Sequence, residues 1–153
     1  MKRKDGNVMN VIRDRLDALR KLMKERGMDA YMIPTADFHE SEYVGEHFKC
    51  REYMTGFTGS AGTALITMDE ACLWVDGRYY VQAAAQLKDS TVTMMKMGQE
   101  GVPSLGAYLE GKMPEGGCLG FDGRVVNAAE GLLWRKCLGS GERVFPTGKT
   151  WQA

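Results

Sequence analysis

Apolar residues recur at helical spacing in the first part of the chain. They stand three or four residues apart and alternate with charged side chains, so that one stripe of a helix would be apolar. The apolar positions are Ile12, Leu16, Leu19 and Met23. This pattern predicts an amphipathic helix over residues 10–26, with Asn10 as its N-cap and Gly27 as the residue that ends it.

Further along the chain, the apolar residues form short runs that predict strands. The predicted strands span residues 28–34, 63–67, 71–75, 91–96 and 118–121, with a final edge strand at 144–145. The first run is almost entirely apolar and ends at Pro34, which is typical of a strand buried on both faces of an α/β sheet. Residues 68–70 form a turn between the second and third runs, which predicts a β-hairpin.

Helices are also predicted at three later places, each beginning near a residue that can cap its N-terminus. They span residues 78–87, 104–109 and 127–138, and the caps are Asp76, Ser104 and Asn127. In the first of these helices, the side chains expected to face the sheet are Val81, Ala84, Ala85 and Leu87. Arg78 lies in its first turn, where a cation gains nothing from the helix dipole. Such a local misfit is sometimes functional.

Composition places the chain among ordinary soluble globular domains. Its 153 residues suffice for one domain, whose ordered core is expected at about 10–146. The apolar share is 44% and the charged share 26%. The 20 basic residues balance the 20 acidic ones, so the overall charge favours neither nucleic acid nor a membrane as a partner. Without a recognisable signal peptide or membrane span, the expected compartment is the cytoplasm.

Basic residues are in excess at the N-terminus. Residues 1–26 carry nine basic and four acidic side chains, but no aromatic side chain that would stack on a base. We therefore interpret the excess as a solvated helix face and not as a nucleic-acid site.

The cysteines are widely spaced and form no Cys-x-x-Cys pair. They are Cys50, Cys72, Cys118 and Cys137. Zinc sites and thioredoxin-like sites usually contain close pairs, so neither is indicated. Cys72 and Cys118 lie in apolar runs and are expected to be buried, reduced thiols.

The most densely patterned stretch is residues 53–82, and within it residues 56–62, Gly-Phe-Thr-Gly-Ser-Ala-Gly, form a segment that we call the glycine loop. The competing interpretations of the stretch are a phosphate cradle, a nucleophile loop, a structural hairpin and a substrate-facing edge of a larger enzyme. The loop leads into a predicted strand and lacks the Gly-Lys-Ser/Thr of a nucleotide P-loop. Ser60 lacks the Gly-x-Ser-x-Gly context of a hydrolase nucleophile. A structural loop is favoured, and nucleotide binding is kept as a third, weaker hypothesis.

Polar residues follow the first predicted strand, among them His39 and Glu42. Because these two residues are three apart, they would lie together on a helix. A metal site needs a third ligand, and the other histidine, His47, stands in no recognised pattern. The segment is interpreted as a loop that caps the strand or as one that lines a cleft.

Several ordered motifs together resemble one family. They are Asp37-x-His39-x-Ser41-Glu42-Tyr43, Gly56 to Ala64, and Trp74-Val75-Asp76-Gly77-Arg78-Tyr79-Tyr80-Val81-Gln82-Ala83. In these motifs the chain resembles the N-terminal domain of Xaa-Pro aminopeptidase (aminopeptidase P), within the creatinase/prolidase group. The resemblance implies a mixed six-stranded sheet with helices on both faces and ribonuclease-H-like topology.

The resemblance also implies that residues 1–153 form a single domain of a longer, three-domain enzyme. The middle domain and the catalytic, pita-bread domain would be absent from this chain. Two manganese ions would be held in the catalytic domain, so no metal, cofactor or catalytic residue is expected here. The tail after Pro146 does not clearly continue the family pattern, which leaves open whether the chain ends naturally there.

For function, the resemblance implies an indirect role. The parent enzyme would hydrolyse the N-terminal Xaa-Pro bond of peptides with proline at the second position. This domain would shape access to the cleft, contact its own catalytic domain and contribute to a homodimer. Arg78 is the first substrate-binding candidate and His39 the second; the alternative for Arg78 is an ion pair with a nearby carboxylate. The alternative for the whole chain is a stand-alone protein-interaction module of the pseudo-peptidase type.

Overall fold

The computed structural model describes residues 5–34, 50–122 and 143–146, with side chains for 10–34 and 50–122. The helices are α1 (Asp5–Glu25), α2 (Cys50–Thr55), α3 (Tyr80–Gln86) and α4 (Leu105–Lys112), and a 3₁₀ turn at Gly77–Tyr79 precedes α3. The strands are β1 (Ala30–Pro34), β2 (Thr63–Thr67), β3 (Ala71–Val75), β4 (Thr93–Lys96), β5 (Cys118–Phe121) and β6 (Arg143–Pro146). The predictions for His39 with its surrounding loop and for a helix at 127–138 lie outside the described residues. None of the described helices is long and apolar enough to cross a membrane.

The strands form one mixed sheet in the order β4-β3-β2-β1-β5-β6. β2 pairs antiparallel with β1 and β3, whereas the other neighbouring pairs are parallel. Consequently β2 alone among the six strands runs against the others. The predicted six-stranded mixed sheet, the hairpin of β2 and β3, and the final edge strand β6 are confirmed.

The sheet is covered on both faces, as predicted. Successive residues of a strand point to opposite faces, so the central strands feed two apolar layers. The first layer joins Tyr31, Ile33, Ala64, Ile66 and Leu73 to the stripe of α1 and to Ala83 and Leu87. The second layer joins Met32, Leu65, Trp74 and Leu119 to Tyr108 and Leu109 of α4.

The first helix is longer than its apolar pattern predicts. Its predicted stripe is buried, with Leu16 and Met23 fully so. However, α1 begins at Asp5, and Asn10 lies inside it, so the prediction of Asn10 as the N-cap is wrong. Gly6 and Asn7 are weak helix formers, but a helix that is already nucleated extends at little cost. The end before Gly27 is confirmed, where the amide of Met28 donates to the Met23 carbonyl at 2.8 Å.

The helix after β3 is present but turned relative to the prediction. The side chains that face the sheet are Ala83 and Leu87, whereas Val81 is 86% exposed. Ala84 and Ala85 are exposed as well, so the prediction that they and Val81 face the sheet is wrong. Apolar pairs four residues apart lie on two faces of this helix, Val81 with Ala85 and Ala83 with Leu87. Spacing therefore fits either face, and the face with the larger Leu87 is the buried one.

On the opposite face, α4 is tied to the β2–β3 turn. Ser104 caps this helix as predicted, accepting from the amide of Ala107 at 3.2 Å. The hydroxyl of Tyr108 donates to the carboxylate of Glu70, and Nζ of Lys112 lies 3.1 Å from the same carboxylate. Burial and the bond to Glu70 raise the pKa of Tyr108, which keeps it a hydrogen-bond donor.

Candidate functional site

One edge of the sheet collects the motifs that stand out in the sequence. Pro34 pairs with Thr63, and Thr63 with Trp74, so β1 and β3 end where β2 begins. The glycine loop enters β2 at this edge, and Asp76-Gly77-Arg78 leaves β3 there. Loops that follow the strands of an α/β sheet often carry function, so this edge is the candidate site.

The backbone of the glycine loop requires glycine at Gly56 and Gly59. Gly56 has a φ of 77°, in the left-handed region. At Gly59, an added Cβ would lie 2.2 Å from Cζ of Phe57, whose ring is fully buried. The loop continues into a strand, as predicted, and not into the N-terminus of a helix that would bind phosphate.

Arg51 of α2 binds this loop through its guanidinium. Its Nη2 donates to the carbonyl of Gly59, and its Nη1 donates to that of Gly62 at 3.4 Å. Its Cζ lies 5.0 Å from the centre of the Phe57 ring. The residue is only 6% exposed. Burial lowers the pKa of Arg51 to about 10, which still leaves the guanidinium charged at neutral pH.

Polar side chains around α3 hold the other flank of the loop. Gln86 accepts from the amide of Thr58 at 3.0 Å and donates to its hydroxyl at 2.8 Å. Gln82 donates to the same hydroxyl at 3.1 Å. The hydroxyls of Ser60 and Tyr79 are hydrogen-bonded to each other. The loop is thus attached to α2 on one side and to α3 and the 3₁₀ turn before it on the other.

Arg78 lies at the exposed end of this arrangement. Its Nε and Nη2 bind the two carboxylate oxygens of Asp76 at 3.0 and 2.9 Å. Asp76 also caps the 3₁₀ turn, as predicted, by accepting from the amide of Arg78 at 3.0 Å. These bonds lower the pKa of the Asp76 carboxyl. The Arg78 side chain remains 66% exposed, so the ion pair orients the guanidinium without burying it.

This ion pair explains the local misfit noted in the sequence. A cation in the first turn of a helix is unfavourable on its own, but here Asp76 stands directly before the turn. The alternative expected for Arg78, an ion pair with a nearby carboxylate, is therefore present. An exposed surface pair contributes little to stability, and it leaves room for a second role of the same side chain.

Metal ligands are not gathered at this edge in the part of the chain that the structure describes. There, no three histidine, cysteine, aspartate or glutamate side chains form a group that could hold an ion. Both histidines of the sequence, His39 and His47, lie outside the described residues. The substrate-binding prediction for His39 therefore stays a prediction.

The cysteines of the described residues are not activated nucleophiles. Cys72 and Cys118 are buried free thiols, as predicted. Burial raises the pKa of the Cys50 thiol to about 11, with a smaller effect of Asp122, and burial also raises the pKa of Cys72. A thiol that is protonated at neutral pH is a poor nucleophile.

Arg51 is the residue of this site that the sequence pattern does not identify. Its buried partners on α2 are Met54 and Thr55, three and four residues further on. A helix from 50 to 55 with this spacing would have placed an arginine on the buried face. An arginine on the same helical face as Met54 and Thr55 is the signal from which Arg51 could have been found.

Comparisons with known proteins agree with this fold. The family described as the creatinase/prolidase N-terminal domain matches residues 15–150. Aminopeptidase P2 of Arabidopsis thaliana is 44% identical over 120 residues, which are 77% of this chain and 17% of that protein. Xaa-Pro aminopeptidase ApepP of Drosophila melanogaster is 46% identical over 101 residues, covering 66% of this chain and 16% of its own length.

A solved structure extends the similarity to three dimensions. X-prolyl aminopeptidase of Caenorhabditis elegans, described as a cytosolic enzyme with a di-nuclear active site, superposes with a TM-score of 0.80 and 30% identity. The match covers 90% of this chain and 24% of that one. This chain thus spans a quarter or less of the length of these relatives. The chain belongs to the creatinase/prolidase N-terminal domain family.

Proposed function

We propose that this chain is the non-catalytic N-terminal domain of a cytoplasmic, metal-dependent Xaa-Pro aminopeptidase. The observation that carries the proposal is the coverage: the A. thaliana, D. melanogaster and C. elegans relatives match 77%, 66% and 90% of this chain but 17%, 16% and 24% of their own length. The rest of such a protein would hold the middle and catalytic domains. The cytosolic location and di-nuclear site of the C. elegans enzyme support the compartment and a pair of metal ions, expected to be manganese.

In the proposed enzyme, this domain shapes the entrance to the catalytic cleft. The exposed guanidinium of Arg78 is the group best suited to contact a peptide, because it offers a permanent charge and a planar fork of donors. The partners are a peptide with proline at its second position, the protein's own catalytic domain and a second copy of the protein. The metal ions of the catalytic domain would supply the hydrolytic chemistry, while residues of this domain would orient the peptide.

The purified 153-residue chain is expected to hydrolyse no Xaa-Pro peptide. Its described residues bring together no metal-binding group, and the hydrolytic chemistry is assigned to another domain. The measurement is peptide turnover by the purified chain with and without added manganese, beside the full-length protein. Manganese-dependent turnover that co-purifies with the short chain would contradict the proposal.

In the full-length enzyme, Arg78→Ala is expected to lower kcat/KM for an Xaa-Pro peptide on the order of tenfold, because a hydrogen bond from a charged donor is lost. The thermal unfolding temperature should change little, since the side chain is exposed. Arg78→Lys, which keeps the charge but not the fork, should give an intermediate value. Arg13→Ala, at an exposed arginine of α1, is the matched control. Equal kcat/KM for Arg78→Ala and Arg13→Ala would remove Arg78 from the substrate site.

The alternative, a protein-interaction module without peptidase activity, is distinguished by the sequence that follows residue 153. Aspartate, histidine and glutamate ligands for two metal ions in that sequence would support the aminopeptidase. A complete downstream domain that lacks them would support the interaction module.

A further inference from the structure

We infer that Arg51 is a positioning residue for Arg78, although the two guanidinium groups belong to different helical segments. The inference rests on the proposed function, because Arg78 is the group through which Arg51 would act on the substrate. Two connected sets of contacts carry it, one through aromatic rings and the other through the glycine loop.

The first connection is a column of neighbouring side chains, namely Arg51, Phe57, Tyr79 and Arg78. The Cζ of Arg51 lies 5.0 Å from the centre of the Phe57 ring. The Phe57 and Tyr79 rings meet edge to face, with centroids 5.7 Å apart and an interplanar angle of 84°. The Cζ of Arg78 lies 5.2 Å from the centre of the Tyr79 ring. The column therefore runs without a gap from a buried arginine to an exposed one.

The second connection runs through the glycine loop. Arg51 donates to the carbonyls of Gly59 and Gly62, on either side of Ser60. The hydroxyl of Ser60 binds that of Tyr79, the same ring on which Arg78 rests. Arg51 thus constrains Tyr79 both through the face of Phe57 and through the loop backbone.

These contacts matter because Arg78 is a long and largely exposed side chain. Ordering such a side chain costs rotamer freedom, so a donor fork that is already oriented in the free protein loses less freedom on binding a ligand. Asp76 binds the guanidinium through two hydrogen bonds, and the centre of the Tyr79 ring lies 5.2 Å from its Cζ. If Tyr79 moves, Arg78 loses one of the contacts that orient it, and a displacement of about 1 Å in a positioning group can be costly for catalysis.

Lysine cannot replace Arg51 in this role. A single ammonium group does not reproduce the planar fork that serves the Gly59 and Gly62 carbonyls while stacking on a ring. Arg51→Lys keeps a positive charge in the buried site but removes this geometry. The substitution therefore separates the positioning role from the charge.

The experiment is a double-mutant cycle in the full-length enzyme with Arg51→Lys and Arg78→Ala. Arg51→Lys is expected to lower kcat/KM roughly fivefold, mainly through a higher KM, because it misplaces a binding group. The double variant should be no slower than Arg78→Ala alone, since residues in one connected unit are not additive.

Arg15→Lys is the matched control. Arg15 also stacks on an aromatic ring, with its Cζ 3.7 Å from the centre of Tyr53, and donates to a backbone carbonyl at 2.8 Å. It contacts α2 and not the glycine loop, so its kcat/KM should stay at the wild-type value. A structural effect common to stacked arginines would instead lower both.

The outcomes separate this inference from the proposed function. If Arg78→Ala lowers kcat/KM but Arg51→Lys does not, or if the two effects add, the positioning role is overturned and the role of Arg78 stands. If Arg78→Ala has no effect, both are overturned. Should Arg51→Lys fail to fold, Tyr79→Leu breaks the column at a half-buried ring and is expected to give the same lack of additivity with Arg78→Ala.

Discussion

Replacing Gly59 with alanine is expected to lower the free energy of unfolding by about 2–3 kcal/mol, near the upper end of the usual cost of overpacking. The added Cβ would lie 2.2 Å from Cζ of Phe57 and within 2.9 Å of both neighbouring ring atoms. The ring is fully buried and stands between Arg51 and Tyr79, so it cannot move aside without disturbing both. Urea-induced unfolding of the purified chain measures the change.

Gly111→Ala is the control for this substitution. Gly111 lies in α4, where an added Cβ would meet no heavy atom within 4 Å. Alanine favours a helix over glycine, so this variant should be neutral or more stable by about 0.5 kcal/mol. If Gly59→Ala were as stable as Gly111→Ala, the close packing of the glycine loop on Phe57 would be disproved.

The same comparison tests the structural interpretation of the loop. A phosphate-binding loop needs its glycines to bring backbone amides close to a ligand. In this chain, Gly59 brings the loop close to a buried aromatic ring, and the carbonyls of Gly59 and Gly62 accept from Arg51. Carbonyls turned toward a cation belong to a loop that is fixed by the protein itself.

Strands and hairpin were predictable from the sequence because their signals are local. β2 and β3 are apolar runs on either side of a polar turn, and their bounds agree with the predicted ones. The phase of α3 was not predictable in this way. The helix has apolar pairs four residues apart on two faces, Val81 with Ala85 and Ala83 with Leu87, and only packing against the sheet decides between them.

The site was predictable only where its residues break a local rule. Arg78 stands out as a cation in a first helical turn, and its partner Asp76 is two residues away. Arg51 breaks no rule that a sequence displays, because its burial results from the packing of α2 against the glycine loop. Spacing indicates the burial of Arg51 only once a helix over residues 50–55 is known, and neither composition nor spacing identifies the edge-to-face contact of Phe57 with Tyr79.

Motif resemblance and residue chemistry contributed different parts of the interpretation. The ordered motifs identified the family, which no periodicity or charge count could do. The spacing of residues 56–62 and the strand that follows argue against a nucleotide P-loop and against a serine nucleophile. The motifs and the residue chemistry both favour a sheet edge that orients a ligand over one that reacts with it.

Leu73→Ala is expected to cost about 3 kcal/mol of the free energy of unfolding, within the range for leucine in a packed core. Leu73 is fully buried on β3, with strands hydrogen-bonded on both sides, and belongs to the layer shared with α1 and α3. Its truncation would leave a cavity between the sheet and both helices. Urea unfolding measures this loss, provided that the dependence of the unfolding free energy on urea concentration is the same for variant and wild type.

Val81→Ala is the control for Leu73→Ala, and comparing the two losses of unfolding free energy tests which face of α3 packs on the sheet. The predicted helical phase put Val81 against the sheet, where truncation would cost on the order of 1 kcal/mol. In the structure, Val81 is 86% exposed, so the change should stay within about 0.5 kcal/mol of wild type. A large loss at Val81 would contradict this orientation of α3, and the loop contacts of Gln82 and Gln86 would then be in doubt. A large loss at Leu73 with none at Val81 would support the packing that holds the glycine loop and Arg78 at the sheet edge.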